Sequence, residues 1–244
     1  MKEAICTKFK RDNSLEYNSD QIVVSTGAKQ SIANVCMSLI NKGDEVLIPT
    51  PYWVSYSAMV ELAEGVPVFI NPDKDSNYKI TPQQLDSAIT DKTKMLMLNS
   101  PNNPSGSVFT EQEYLEFSKV LLKYPNIIIV SDEIYEHINY GVKSVSFASL
   151  PGMYDRTVTV NGISKAYAMT GWRIGYLGAP KIIAKACNEM QGQITSGANC
   201  IAQRATIKAL EESPEKIQYM VDEFKIRRDF IIDLVTKING FNIK

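Results

Sequence analysis

The feature that most constrains the fold is an almost wholly apolar run at 126–131, which ends at the carboxylates Asp132 and Glu133. A strand that is apolar on both faces is typical of a parallel sheet covered by helices on both sides. Six further strand-like runs alternate with helical patterns, at 21–26, 44–49, 66–70, 94–99, 157–161 and 174–180. The alternation predicts an α/β fold with a mainly parallel sheet and helices on both faces.

Composition excludes several classes of protein. The chain has 244 residues, 44% of them hydrophobic and 22% charged, which is room for one large globular domain or two small ones. A net charge of −1 gives no sign of a nucleic-acid partner or an anionic membrane surface. No apolar run approaches the roughly 20 residues of a membrane-spanning helix, and residues 1–17 lack the apolar centre of a signal peptide.

Cysteine and histidine usage favours a reduced protein without a zinc site. The four cysteines, Cys6, Cys36, Cys187 and Cys200, are widely spaced, and the single histidine, His137, has no partners clustered near it in the sequence. Free thiols are typical of a cytoplasmic protein. We therefore predict a cytoplasmic location and a structural role for His137.

A lysine and an arginine follow the predicted strand at 157–161, with small residues between them. In a pocket, Lys165 would lose hydration, so its pKa would fall from about 10.4 and its amine would become a nucleophile. Arg173 offers a planar fork that suits a phosphate. Taken alone, Lys165 is typical of a solvated surface charge, and Arg173 is typical of an ion pair with a nearby carboxylate. Taken together, they suit an aldehyde cofactor that carries a phosphate.

This segment resembles the lysine segment of the class I, aspartate-type aminotransferases, which are pyridoxal-phosphate (PLP) enzymes. The matching positions are Gly162, Ser164, Lys165, Ala168, Met169, Gly171, Arg173 and Gly175. The resemblance covers essentially the whole chain and implies the large domain of the fold-type I PLP-dependent transferases. It also implies that Lys165 holds PLP as a Schiff base and acts as general base and acid, while Arg173 binds the phosphate.

Two earlier segments carry the same resemblance. Gly27, Ala28 and Lys29 form a turn between a predicted strand and a helix, and a helix start favours anions. The turn alone could be a plain β–α connection, but the resemblance makes it the phosphate cradle. Trp53 lies in a proline-rich loop, where an aromatic ring is as often a core or dimer contact. In the family it stacks on the PLP ring and borders the substrate.

Two polar residues follow predicted strands. Asn103 lies in a loop rich in proline, asparagine and glycine, and Asp132 follows the apolar run. The loop could be only a turn, and Asp132 could be a helix cap or an ion-pair partner. The resemblance instead assigns Asp132 to the pyridine nitrogen of PLP, and Tyr135 and Asn103 to its phenolic oxygen. It makes Lys165, Asp132 and Tyr135 the catalytic residues.

The closest subgroup by motif is the prokaryotic-type aspartate aminotransferases. This implies amino-group transfer between aspartate and 2-oxoglutarate, amino-acid and 2-oxoacid substrates, and a homodimer. In that subgroup the lysine matching Lys29 binds the distal carboxylate of the substrate, so Lys29, Trp53 and Asn103 are the predicted substrate contacts.

Three alternatives stay open at this point. The same core serves aromatic or prephenate aminotransferases, β-lyases and cyclopropane-forming synthases. It also occurs as a non-catalytic PLP-binding effector module beside a DNA-binding domain, which the near-neutral charge disfavours. A generic nucleotide-binding domain is disfavoured because the sequence has neither a GxGxxG nor a Walker A motif.

Family members extend further at both ends. We therefore predict a PLP-binding large domain at 1–225 that lacks its N-terminal segment, and a truncated start of the C-terminal small domain at 226–244. The absent parts carry substrate contacts in the family, including the arginine that binds the α-carboxylate. The resemblance thus implies a truncated piece with impaired turnover.

Overall fold

The computed structural model describes residues 1–241. Within them lie seven strands: β1 Ile22–Ser25, β2 Glu45–Pro49, β3 Val66–Ile70, β4 Thr93–Asn99, β5 Ile128–Asp132, β6 Thr157–Gly162 and β7 Gly175–Gly178. The α-helices are α1 Lys2–Asn13, α2 Ala28–Leu39, α3 Ser55–Leu62, α4 Pro82–Ala88, α5 Glu111–Leu121, α6 Lys181–Ile194, α7 Cys200–Glu211 and α8 Gln218–Val235.

The strands form one sheet in the order β1-β7-β6-β5-β4-β2-β3. Strand β7 is antiparallel to both neighbours, and the other pairings are parallel, so the predicted mainly parallel sheet is confirmed. In the register of β4 and β5, Asn99 lies opposite Asp132. The last residues of these two central parallel strands therefore lie side by side at the carboxyl end of the sheet.

The predicted burial of the sheet on both faces is also confirmed. Alternate residues of β5 enter different cores: Val130 packs in a cluster with Ile32 of α2, and Ile129 packs in a cluster with Phe117 of α5. This alternation follows from the two-residue period of a strand. A third cluster brings Ile5 and Phe9 of α1 against β1 and β7.

Helix α4 begins with a capping box. At the start of α4, the backbone N–H of Gln84 donates to the Thr81 hydroxyl at 3.2 Å, and Pro82 occupies the first turn. The reciprocal bond runs from the Thr81 backbone N–H to the Gln84 side chain at 2.8 Å. Such a capping box satisfies two backbone donors that the helix itself leaves open.

Two breaks separate the last three helices, α6, α7 and α8. Helix α7 begins after Asn199, whose side chain accepts a hydrogen bond from the Ala202 backbone at 3.0 Å. The predicted domain boundary at 225 falls inside α8, which runs unbroken across it. The last residues of the predicted start of a small domain, 242–244, lie outside the described residues. No helix in the described part of the chain combines the length and apolar character needed to cross a membrane.

Strand β7 passes very close to the turn between β1 and α2. A Cβ atom built on Gly175 would lie 2.1 Å from the Ala28 backbone nitrogen and 2.4 Å from the Gly27 carbonyl carbon. No side chain fits at this separation, and the atoms in the way are backbone atoms that cannot rotate aside. The absence of a side chain at position 175 therefore allows the β1–α2 turn to pack directly against β7.

Replacing Gly175 with alanine tests this close approach. We expect Gly175→Ala to lower the free energy of unfolding in urea by about 1–3 kcal/mol, as overpacking does. Gly192→Ala is the matched control, because a Cβ atom there meets nothing within 4 Å and the residue lies in α6. The control should gain about 0.5–1 kcal/mol. Unchanged stability of Gly175→Ala would contradict the close approach.

Candidate active site

A cleft of about 280 Å³ opens at the carboxyl ends of the central strands. Its walls include eight of the nine predicted site residues: Ala28, Lys29, Trp53, Asn103, Asp132, Tyr135, Lys165 and Arg173. The ninth, Gly27, lies against the Arg173 side chain. The structure thus brings all nine together, as expected for polar residues that follow neighbouring parallel strands. Their individual roles stay predictions.

Asp132 is the last residue of β5 and is almost fully buried, with 4% of its surface exposed. Its Oδ2 accepts a hydrogen bond from the Tyr56 hydroxyl at 2.7 Å, and its Oδ1 accepts one from the Ile134 backbone at 3.2 Å. Burial raises the pKa of Asp132 to about 6, although both hydrogen bonds and the charge of Lys165 lower it. This carboxylate is therefore poorly solvated and would gain from a cationic partner.

Lys165 lies three residues beyond the end of β6, and its Nζ is 5.6 Å from the centroid of the Tyr135 ring. Its side chain is exposed. The predicted loss of hydration is therefore wrong for this chain, because no segment among residues 1–241 covers the lysine side of the cleft. The amine reaches the cleft but also contacts solvent.

Arg173 and the start of α2 converge at the other wall. The Arg173 guanidinium donates to the Thr170 carbonyl at 2.9 Å and lies over Gly27, where a Cβ atom would be 2.5 Å from Nη2. Gly27 also has a φ of +88°, a conformation that favours glycine. As N-cap of α2 it brings no capping side chain. The first-turn N–H groups and the guanidinium are both hydrogen-bond donors of the kind that favours an anion.

Trp53 and Lys29 form the rim. The Lys29 Nζ lies 4.8 Å from the centroid of the Trp53 ring, a cation–π contact. The Trp53 ring meets the Tyr56 ring edge to face, with centroids 5.4 Å apart. Tyr56 thus fixes both a wall of the cleft and the carboxylate at its floor.

Five residues that line the cleft were not among the predicted site residues: Tyr56, Asn99, Ile134, Ser164 and Thr170. Asn99 accepts from the Asn103 backbone N–H at 2.8 Å and donates to the Asp132 carbonyl at 2.9 Å, so it ties the Asn103 loop to β5. Asn99 ends a predicted strand, which was a usable signal. Tyr56 follows Trp53 by one helical turn, but nothing in the sequence relates it to Asp132.

His137 does have clustered partners, contrary to prediction. Its Nε2 lies 3.4 Å from a carboxylate oxygen of Asp12 and 3.3 Å from one of Glu136. Asp12 is far away in the sequence and comes from α1, so spacing alone gave no sign of the cluster. The buried Lys8 ammonium also bonds Glu136 and supplies positive charge to the group.

A family model described as aminotransferase class I and II matches residues 1–244. The chain belongs to this family. It is 45% identical to the bifunctional aspartate aminotransferase and glutamate/aspartate-prephenate aminotransferase of Petunia hybrida, and the match covers 100% of this chain and 52% of the relative. The chain thus spans about half the length of that relative.

Solved aminotransferase structures share the fold. The crystal structure of the aspartate aminotransferase of Rhizobium meliloti matches 98% of this chain and 60% of its own, with a TM-score of 0.96 and 45% identity. The aromatic aminotransferase of Pyrococcus horikoshii OT3 matches 100% of this chain and 66% of its own, with a TM-score of 0.95 and 35% identity. Aminotransferases of the aspartate type use PLP as cofactor.

The buried charge of Asp132 predicts a pH-dependent stability. Its pKa is about 6 when folded against 3.8 for the ordinary group. The folded chain therefore holds this proton more tightly, and stability falls as the pH rises from about 4 to about 6. We expect the free energy of unfolding of the cofactor-free Asp132→Asn variant at about pH 8 to exceed that of the cofactor-free wild type by on the order of 2–3 kcal/mol.

The comparison at low pH is the control. At about pH 4 both side chains are neutral, so the advantage of Asp132→Asn should disappear. A variant that is less stable than wild type at about pH 8 would contradict the unfavourable burial of this carboxylate.

Proposed function

We propose that this chain is the cofactor-binding part of an aspartate-type aminotransferase, which moves an amino group between aspartate and 2-oxoglutarate with PLP held at Lys165. The observation that carries the proposal is the convergence of three groups in one cleft. An accessible amine, Lys165, lies beside a buried carboxylate, Asp132, and an anion site made by Arg173 and the start of α2.

These residues fit PLP group by group. The anion site matches a phosphate, because the guanidinium and the uncapped helix start both favour negative charge. The buried Asp132 matches a ring nitrogen that carries a proton, because the pair would relieve the poor solvation that raises its pKa. Lys165 matches an aldehyde, since a free amine condenses with one. When bound, PLP supplies a ring that accepts the charge developing at the α-carbon of the substrate.

The roles of the side chains follow from their chemistry. With PLP bound, Asp132 would hold the proton on the ring nitrogen, while Tyr135 and Asn103 would donate hydrogen bonds to the ring oxygen. Trp53 forms one wall against the ring face. The Lys165 Nζ would take the proton from the substrate α-carbon as base and deliver it to the C4′ carbon of the cofactor as acid. Its position beside Tyr135 leaves the amine free to move within the cleft.

Lys29 is the proposed determinant of substrate choice. Its ammonium lies at the rim, over Trp53, where a second carboxylate of aspartate or glutamate would meet it. Relatives named for prephenate as well as aspartate, such as those of Petunia hybrida and Nitrosomonas europaea, make prephenate the nearest alternative substrate.

Three further parts of the prediction belong to the proposal. We retain a homodimer, a cytoplasmic location and the division at 225 into a large domain and the start of a small one. The four cysteines are free in the structure, which supports a reducing location. The exposed apolar side chains of α8, including Phe230 and Ile231, support a packing partner for that helix.

The half-reaction with aspartate tests the proposal. The PLP-loaded chain should show a visible absorption band that L-aspartate converts to the absorption of pyridoxamine phosphate, with release of oxaloacetate. Lys165→Met, which keeps the length of the side chain, should give neither the band nor the oxoacid. Conversion by the Lys165→Met variant at the wild-type rate would contradict the role of the lysine.

Substrate choice is tested separately with Lys29→Met. Loss of a charged contact of about 1.5–3 kcal/mol should weaken the response to aspartate by about 10–100-fold. The response to phenylalanine, which has no second carboxylate, should change little. An equal loss for both amino acids would contradict the role of Lys29.

A further inference from the structure

The turn that carries Tyr135 lies between two buried carboxylates. Glu133 and Glu136 flank it, with 3% and 6% of their surfaces exposed. The Glu133 carboxylate accepts hydrogen bonds from Ser131 Oγ at 2.8 Å, Ser146 Oγ at 2.9 Å and the Phe147 backbone at 3.1 Å. The first half of the turn is thereby fixed to the end of β5 and to the segment at 146–147.

Glu136 fixes the second half to two other elements. Lys8 of α1 donates to its carboxylate, and Asn13, the last residue of α1, donates to it at 2.6 Å. Asn161 of β6 donates to the same carboxylate at 2.8 Å. Glu136 therefore joins the Tyr135 turn to α1 on one side and to β6 on the other.

The contact with Asn161 leads directly to the lysine loop. The Asn161 side-chain oxygen accepts from the Gly162 backbone N–H at 2.7 Å, and Lys165 follows three residues later. Within the loop, the Ala168 N–H donates to the Lys165 carbonyl at 3.2 Å. One carboxylate thus connects the turn of Tyr135 with the loop of Lys165.

Charge keeps Glu136 in place. Burial alone would raise its pKa, but the charges of Lys8 and His137 and the hydrogen bonds from Lys8 and Asn13 outweigh burial and hold the pKa below its usual range. Lys8 itself is 1% exposed. Asp12 lies 3.9 Å from the Lys8 ammonium and carries the Arg11 guanidinium on its other side. Both members of the pair are therefore buried away from water.

We propose that Glu136, held by Lys8, is a positioning residue that fixes the distance between Tyr135 and Lys165. Neither member of the pair lines the cleft, so the pair acts through the two loops. Its meaning for catalysis rests on the proposed function, since Tyr135 and Lys165 must reach neighbouring atoms of one bound ring. Helix α1 then influences the geometry of the cleft through the Lys8–Glu136 contact, although α1 itself does not line the cleft.

The alternative is an ion pair that stabilises the fold and nothing more, and Arg156 provides a matched control. Arg156 is 8% exposed and donates to the carbonyl oxygens of Leu121, Tyr124 and Ile127. It precedes the amino end of β6, at the opposite end of that strand from Gly162. Arg156→Met should therefore destabilise the fold without reaching the two loops.

Hydrogen exchange of the cofactor-free chain is the first test. In Glu136→Gln and Lys8→Met, exchange of the Gly162 and Ala168 amides should accelerate at least about tenfold, together with the amides at 133–138. Arg156→Met, compared at an equal distance below its melting temperature, should leave both segments near wild type. Acceleration confined to 133–138 would overturn the link between the loops.

The pH dependence of the visible PLP band is the second test. A changed spacing between Lys165 and Tyr135 should move the midpoint of that titration by at least about half a pH unit in Glu136→Gln and Lys8→Met, but not in Arg156→Met. Unchanged midpoints in all three variants would overturn the positioning role. A wild-type chain that forms no band contradicts the proposed function instead, and the exchange result then decides the link on its own.

Discussion

The cleft is organised around a carboxylate that the fold buries, at a cost in stability, at the end of a central strand. Asp132 lies where β4, β5 and β6 finish, in a sheet whose two faces are covered by apolar cores. A charge at this position is unfavourable unless hydrogen bonds and a cationic partner compensate for lost water. Tyr56 and the Ile134 backbone supply part of the compensation, and the raised pKa shows that they do not supply all of it. The apolar packing of the sheet offsets the remaining free-energy cost of burying this charge.

The opposite wall of the cleft depends on glycine. The close passage of Gly175 beneath the β1–α2 turn, and the contact of Arg173 with Gly27, bring a guanidinium and a helix start into the cleft that Asp132 also lines. The cleft is therefore bipolar, with a buried negative charge on its floor and a positive rim. A ligand that carries both a protonated ring and a phosphate satisfies both ends at once. The lysine loop lies between them, tied through Asn161 to Glu136 and α1.

Much of this arrangement could be predicted from sequence, and the exceptions share one physical origin. Strand and helix periods located the elements, and polar residues just after apolar strands located Asp132 and Lys165. Contacts between distant segments could not be read this way. The Tyr56 bond to Asp132 and the Lys8 bond to Glu136 join residues from different elements, and His137 gains its partner Asp12 in the same manner. The exposure of Lys165 depends on what covers the cleft, which local residue types do not determine.

We propose that PLP is joined to this chain at Lys165. Borohydride reduction of the PLP-loaded protein, followed by peptide mass mapping, tests it directly, because reduction makes the lysine link permanent. We expect the peptide containing Lys165 to carry the added mass of the reduced cofactor, and we expect Arg173→Met to lower the yield of that labelled peptide greatly. A label spread over other exposed lysines, or concentrated on Lys29, would contradict it.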